Sequence, residues 1–153
     1  ESGTFIWRVA RIENLAGVPH HVVTAEIFYR VDNRGFTKET LNGTPVREIS
    51  PSSWRPMAFP LSVGASWDMK YTETRPNEPP TGIERRCVAE KEEVVTVPAG
   101  TFATIRIVCT NTKTNAWVLT VWYSPEVHHL VRDEFPLRAG GRTRRELLMF
   151  RLR

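Results

Sequence analysis

Between Glu90 and Phe135, two segments of alternating apolar and polar residues meet at Val97-Pro98-Ala99-Gly100-Thr101-Phe102 and finish at Trp122-Tyr123-Ser124-Pro125-Glu126-Val127. Period-2 alternation puts successive side chains on opposite faces of a sheet, and turn residues between two such runs reverse the chain. Pro98 presets φ for the turn, Gly100 supplies a backbone conformation that other residues resist, and Phe102 returns the chain to a core. Pro125 removes a ladder donor and ends the strand that carries Trp122 and Tyr123. Pro98, Gly100, Phe102 and Pro125 therefore read as structural residues. Neither turn holds a nucleophile, a metal quartet or a phosphate cradle.

The pattern extends over the rest of the chain. Apolar residues on both parities from Thr4 to Ile12 predict a first strand, followed by a turn at Asn14-Leu15-Ala16-Gly17. His20 to Val31 is rich in residues that sit well on a pleated surface and predicts a strand, which Asp32-Asn33-Arg34-Gly35 reverses into Phe36 to Leu41. Asn42-Gly43 is the strongest hairpin signal, because both residues tolerate the positive φ of a primed turn. Prolines 51, 56 and 60 place Trp54, Met57 and Phe59 on a loop that covers the core. Trp67 to Tyr71 reads as a strand, and Arg75-Pro76-Asn77-Glu78-Pro79-Pro80 as an exposed loop. Thr81 to Val97, Phe102 to Thr110, Trp117 to Tyr123, His129 to Phe135 and Arg144 to Leu152 complete a meander, with Ala139-Gly140-Gly141 as its last turn. Nine or ten strands with little helix predict an all-β fold, a strongly curved antiparallel meander of half-barrel or open-barrel type, since curling limits exposed edges.

A chain of 153 residues, 41 % hydrophobic and 25 % charged, is expected to form a single β domain spanning 1–153. No apolar run approaches the roughly 20 residues of a transmembrane helix. The chain opens at Glu1 without a Met and reads as trimmed, so any leader or lipid anchor of a precursor would lie upstream. Net charge is +4, from 21 Lys plus Arg against 17 Asp plus Glu. Arg132, Arg138, Arg142, Arg144, Arg145, Arg151 and Arg153 crowd the last strands, which predicts a solvated basic face. A nucleic-acid reader motif is absent, so no nucleic-acid partner is expected.

With Val94 to Phe102, Trp122 to Val127 and the upstream Phe59-Pro60-Leu61-Ser62-Val63-Gly64-Ala65-Ser66-Trp67 taken in order, the chain resembles a bacterial extracytoplasmic domain family of unknown function. That family is similar in architecture to lipoprotein-carrier proteins, in which a curved antiparallel sheet wraps an apolar interior. The resemblance covers residues 59–135 and implies a periplasmic or envelope-anchored location, but no reaction. One departure is visible: His128 stands where a small residue such as Gly would be expected after Glu126-Val127.

Cys87 and Cys109 flank the Pro98 corner at equal sequence distance. A two-residue turn at Ala99-Gly100 would pair Val97 with Phe102 and leave the cysteines three positions out of register, so facing requires bulges. An even cysteine count and the implied extracytoplasmic address favour a disulfide over two buried thiols. The histidines form two adjacent pairs, His20-His21 and His128-His129, and neighbours on a strand point to opposite faces, so no metal or other cofactor is expected. The leading expectation is a non-catalytic envelope module holding an apolar or amphipathic ligand, or an envelope protein partner, on Phe28, Trp67, Tyr71, Trp117 and Trp122, with Ile107 and Leu119 as further lining. The rival is a hydrolase-like or metal-dependent enzyme using the histidine pairs with Glu26, Asp133 or Glu134.

Overall fold

The computed structural model describes residues 9–23, 27–30, 36–51, 54–137 and 140–150. Among them every regular element is a strand: β1 (Val9–Leu15), β2 (Val18–Val23), β3 (Ile27–Arg30), β4 (Phe36–Leu41), β5 (Thr44–Ser50), β6 (Ser66–Thr74), β7 (Thr81–Val97), β8 (Gly100–Asn111), β9 (Trp117–Ser124), β10 (His129–Pro136) and β11 (Arg142–Glu146). The fold is thus the curled antiparallel all-β meander expected from the alternation, with eleven strands in place of nine or ten. The extra strand comes from the predicted His20–Val31 segment, which is two strands, β2 and β3, paired through Val22↔Phe28 and Val23↔Ile27. The intervening Thr24-Ala25-Glu26 has no Gly, Pro, Asn or Asp to announce a reversal. At the other end, β11 stops at Glu146, well short of the predicted Leu152.

The chain divides into two compact units, residues 1–55 with 69–83, and residues 56–68 with 84–153. The first contains β1 to β5 and most of β6. Its tight turns follow the residue chemistry: Asn42 (φ 51°) and Gly43 (φ 79°) join β4 to β5, and Ala16 (φ 49°) and Gly17 (φ 82°) join β1 to β2. Asn14 and Leu15, expected in that first turn, remain in β1 and pair with Pro19 and Val18. Val22, Val23, Phe36, Ile49, Met69 and Tyr71 are buried. Trp54 is held beside β4 by the bond from Phe36 N to its carbonyl (3.1 Å), edge-on to the Phe36 ring. The Arg47 guanidinium stacks over Phe36 and pairs with Glu73, which Arg75 also holds. The expected Asp32–Gly35 turn and the segment before Val9 lie outside the described residues.

The second unit contains β8 to β11 and most of β7. Three extra residues bend its ladders: Glu90 in β7, Val118 in β9 and Val131 in β10. Each bulge adds local twist and re-aims the side chains beyond it, which curls the sheet. Of the covering loop expected around Trp54, Met57 and Phe59, the first lies in the other unit as a bridge to Phe36, and only Met57 and Phe59 belong to this one. Phe59 meets Tyr123 edge-to-face at 5.3 Å, and Gly64 N and Ala65 O both bond Ala89.

Candidate ligand groove

The β7–β8 hairpin sets the geometry. Its turn is Pro98-Ala99, one position earlier than predicted, so that Val97 pairs with Gly100 and Val95 with Phe102. Pro98 cannot adopt the positive φ that primed turns need at this position, and the compensating conformation falls on Gly100 at φ 139°. From Lys91 outward the register would leave Cys87 and Cys109 one position apart. The bulge at Glu90 removes that offset, Cys87 pairs directly with Cys109, and the two form a disulfide with Cα atoms 4.0 Å apart. Disulfides persist in oxidising compartments, which places this chain with extracytoplasmic proteins.

On one face of β7 to β9 lie Cys87, Ala89, Ile107, Cys109, Leu119 and Val121, all buried. The opposite face carries polar residues in cross-strand rows. Arg106, Trp122, Arg132 and Glu146 form one row, and Val108, Thr120, Glu134 and Arg144 the next. Trp117 would share the parity of Leu119 on a regular strand. With Val118 as the extra residue, Leu119 pairs with Cys109 but Trp117 with Thr110, which moves the indole to the polar face, where its Nε1–H donates to Thr120 Oγ1 at 2.8 Å.

This face carries an open, shallow groove of about 370 Å³ lined by Glu90, Arg106, Val108, Trp117, Thr120, Trp122, Arg132, Glu134, Arg142 and Arg144. Val108 and Thr120 make the floor. Trp122 is flanked by two guanidinium groups, Arg132 at 5.5 Å and Arg106 at 6.0 Å from the ring centre, and its Nε1–H donates to Glu93 Oε1 at 2.5 Å. Arg142 stands over Trp117 at 5.1 Å. Burial pushes the Glu93 carboxyl up, but hydrogen bonds from Lys91 and Trp122 and the charges of Lys91 and Arg106 outweigh it and hold the group below the usual carboxylate range.

Of the residues expected to bind ligand, Trp117 and Trp122 meet in this groove. Trp67 is half-buried on β6 and does not line it, and Tyr71 is buried in the first unit. Phe28 lies in β3, but its side chain lies outside the described residues. Ile107 and Leu119 belong to the buried face. Phe102 is core, packed with Val95, Val97, Trp122, Val127 and Val131, and Phe150 meets its ring edge-on at 5.7 Å. Pro125 follows the last residue of β9, as expected. His128 takes φ 56°, so the turn keeps the left-handed backbone that a Gly would adopt there.

The acid–base candidates are engaged in internal contacts. Asp133 takes a bidentate pair from Arg145, and Glu134 pairs with Arg144 at 2.7 Å. His20 Nδ1 donates to the Val18 carbonyl (2.8 Å), which leaves Nε2 to accept from the Thr37 hydroxyl (2.9 Å). His128 and His129 are exposed, and Glu26 lies outside the described residues. Among the described residues no three His, Cys, Asp or Glu side chains converge as metal ligands. The basic face is ion-paired rather than merely solvated: Arg132, Arg142, Arg144 and Arg145 each meet a carboxylate of β10 or β11. Arg138, Arg151 and Arg153 lie outside the described residues. Arg106, Arg132 and Glu134 were not legible as groove residues from strand parity, because the bulges at Val118 and Val131 shift the register between Trp122 and each of them by one position. Glu90 was not legible either, because it is itself the bulge. Compared with known proteins, the chain matches no family model, no curated protein and no solved structure.

Proposed function

We propose that this protein is a non-catalytic module of the bacterial cell envelope that holds an amphipathic small molecule in the groove between Trp117 and Trp122. The observation that carries this reading is the composition of the groove. Trp117, Val108 and the mostly buried Trp122 supply apolar surface within a lining whose greater part is polar, carried by four guanidinium groups and two carboxylates. The disulfide and the resemblance of residues 59–135 support an address outside the cytoplasm. Asp133, Glu134 and His20 are each spent on internal partners, which supports a binding role over acid–base chemistry.

The test is a tryptophan-fluorescence titration with dodecyl maltoside and dodecyl phosphate, both below their micellar concentrations. A saturable change with one-to-one stoichiometry, lost in Trp117→Ala, is expected for at least one of them. No saturable change with either would overturn the reading.

A further inference from the structure

The four arginines of the groove are not held equally. Arg132 donates from Nε to Glu146 Oε1 at 2.9 Å and from Nη2 to the Thr96 carbonyl at 2.9 Å, so its fork is committed to the fold. Arg144 donates from Nε to Glu134 at 2.7 Å, and Arg142 shares that carboxylate at 3.8 Å, which puts two cations on one anion. Arg106 differs in another way. Its ion pair, Nη1 to Glu90 Oε2, is 3.3 Å long, and among the four its Nε–H is the one buried without a hydrogen-bond partner.

A buried donor left unmade costs more than a typical hydrogen bond contributes, and a guanidinium satisfies it best by offering Nε–H and Nη–H side by side to two oxygens of one anion. Glu90 meets Arg106 through Nη1 alone and does not use that edge. The groove lining carries four arginines; with Arg132 neutralised by Glu146, the other three face two carboxylates, Glu90 and Glu134, which leaves a small positive surplus. Arg142 and Arg144, with side chains 68 % and 58 % exposed, extend that potential along the far wall.

From these contacts we infer that Arg106 is the headgroup receptor of the groove, and that the bound molecule carries a phosphate-type oxyanion. This rests on the amphipath reading above and adds its charge. Arg106 exchanges its weak Glu90 contact for a bidentate one with the oxyanion, and Val108 and the edge of Trp117 meet the apolar portion. Arg132 stays on Glu146 and keeps Trp122 in place.

The experiment compares dodecyl phosphate, dodecyl maltoside and inorganic phosphate by tryptophan fluorescence and calorimetry, on the full chain and on Arg106→Gln. Dodecyl phosphate is expected to bind at least tenfold more tightly than dodecyl maltoside, the preference to shrink as salt rises, and Arg106→Gln to cost dodecyl phosphate at least tenfold more affinity than it costs dodecyl maltoside. A thermal melt of Arg106→Gln within a few degrees of the parent shows that the variant is folded. If that melt collapses, Arg144→Gln and the salt dependence carry the test instead. Equal affinity for the two amphipaths, unchanged by Arg106→Gln, would overturn the headgroup inference and leave amphipath binding standing. Inorganic phosphate binding as tightly as dodecyl phosphate would overturn the amphipath and identify a free oxyanion as ligand. Binding of none of the three would overturn both readings.

Discussion

Cys87 and Cys109 face each other across β7 and β8 because Glu90 stands as an extra residue between them and the Pro98-Ala99 turn. Sequence separation between them is 22 residues, and closing a loop of that size restricts the unfolded chain by about 3 kcal/mol. Protein purified without reductant should show a mass two hydrogen atoms below the reduced value, and Cys87→Ala/Cys109→Ala should lose roughly that stability in urea. Two alkylatable thiols in the native protein would contradict the pairing.

Gly100 combines φ 139° with a Phe102 ring atom 3.4 Å from where a Cβ would sit. Gly100→Val should therefore cost about 2 kcal/mol, through backbone strain more than crowding. Gly82 is the control. It lies on β7 with nothing within 4 Å of a built Cβ, and Gly82→Val should be neutral or slightly stabilising by thermal melt.

The Glu93 carboxylate that receives the Trp122 indole has a pKa held below its ordinary value. A depressed carboxylate stabilises the fold fully above the unfolded-chain pKa, near about 4.3, and that contribution is lost as pH falls through the folded value. Acid titration from pH 5 downward should lower the thermal midpoint and shift tryptophan emission. In Glu93→Gln the emission step should flatten. An identical step in the variant would assign it to another carboxylate.

His128 holds a left-handed φ of 56°, strained for a residue with a Cβ. His128→Gly should raise stability by about 0.5 kcal/mol, the relief of strain exceeding the added freedom of the unfolded chain. His128→Val should lower it. Differential scanning calorimetry of the three proteins reads the order directly.

What the sequence made legible was whatever rests on local chemistry. Alternation and turn residues sufficed for β7, whose bounds from Thr81 to Val97 match the prediction, and for the Asn42-Gly43 hairpin. The bulges were not legible. Glu90, Val118 and Val131 include no glycine and break no alternation by composition, yet each shifts everything beyond it by one face. For that reason Trp117 shares a face with Trp122, while Ile107 and Leu119, expected beside them, fall on the other face. The arginine–carboxylate lattice escaped notice for a related reason: its partners sit on neighbouring strands, and register, not spacing, brings them together.

The order in which the strands follow one another has a kinetic consequence. Within each unit the pairings join strands that are consecutive in the chain, so no ladder must wait for a distant segment to arrive. Short closures of this kind cost little chain entropy and speed folding relative to β-sandwiches built from remote pairings. Zippering of β7 against β8 from the Pro98 corner would carry the two thiols together as a local event. The sulfur–sulfur bond can then be made on an isolated hairpin, which would let oxidation accompany the emergence of the chain rather than follow its completion.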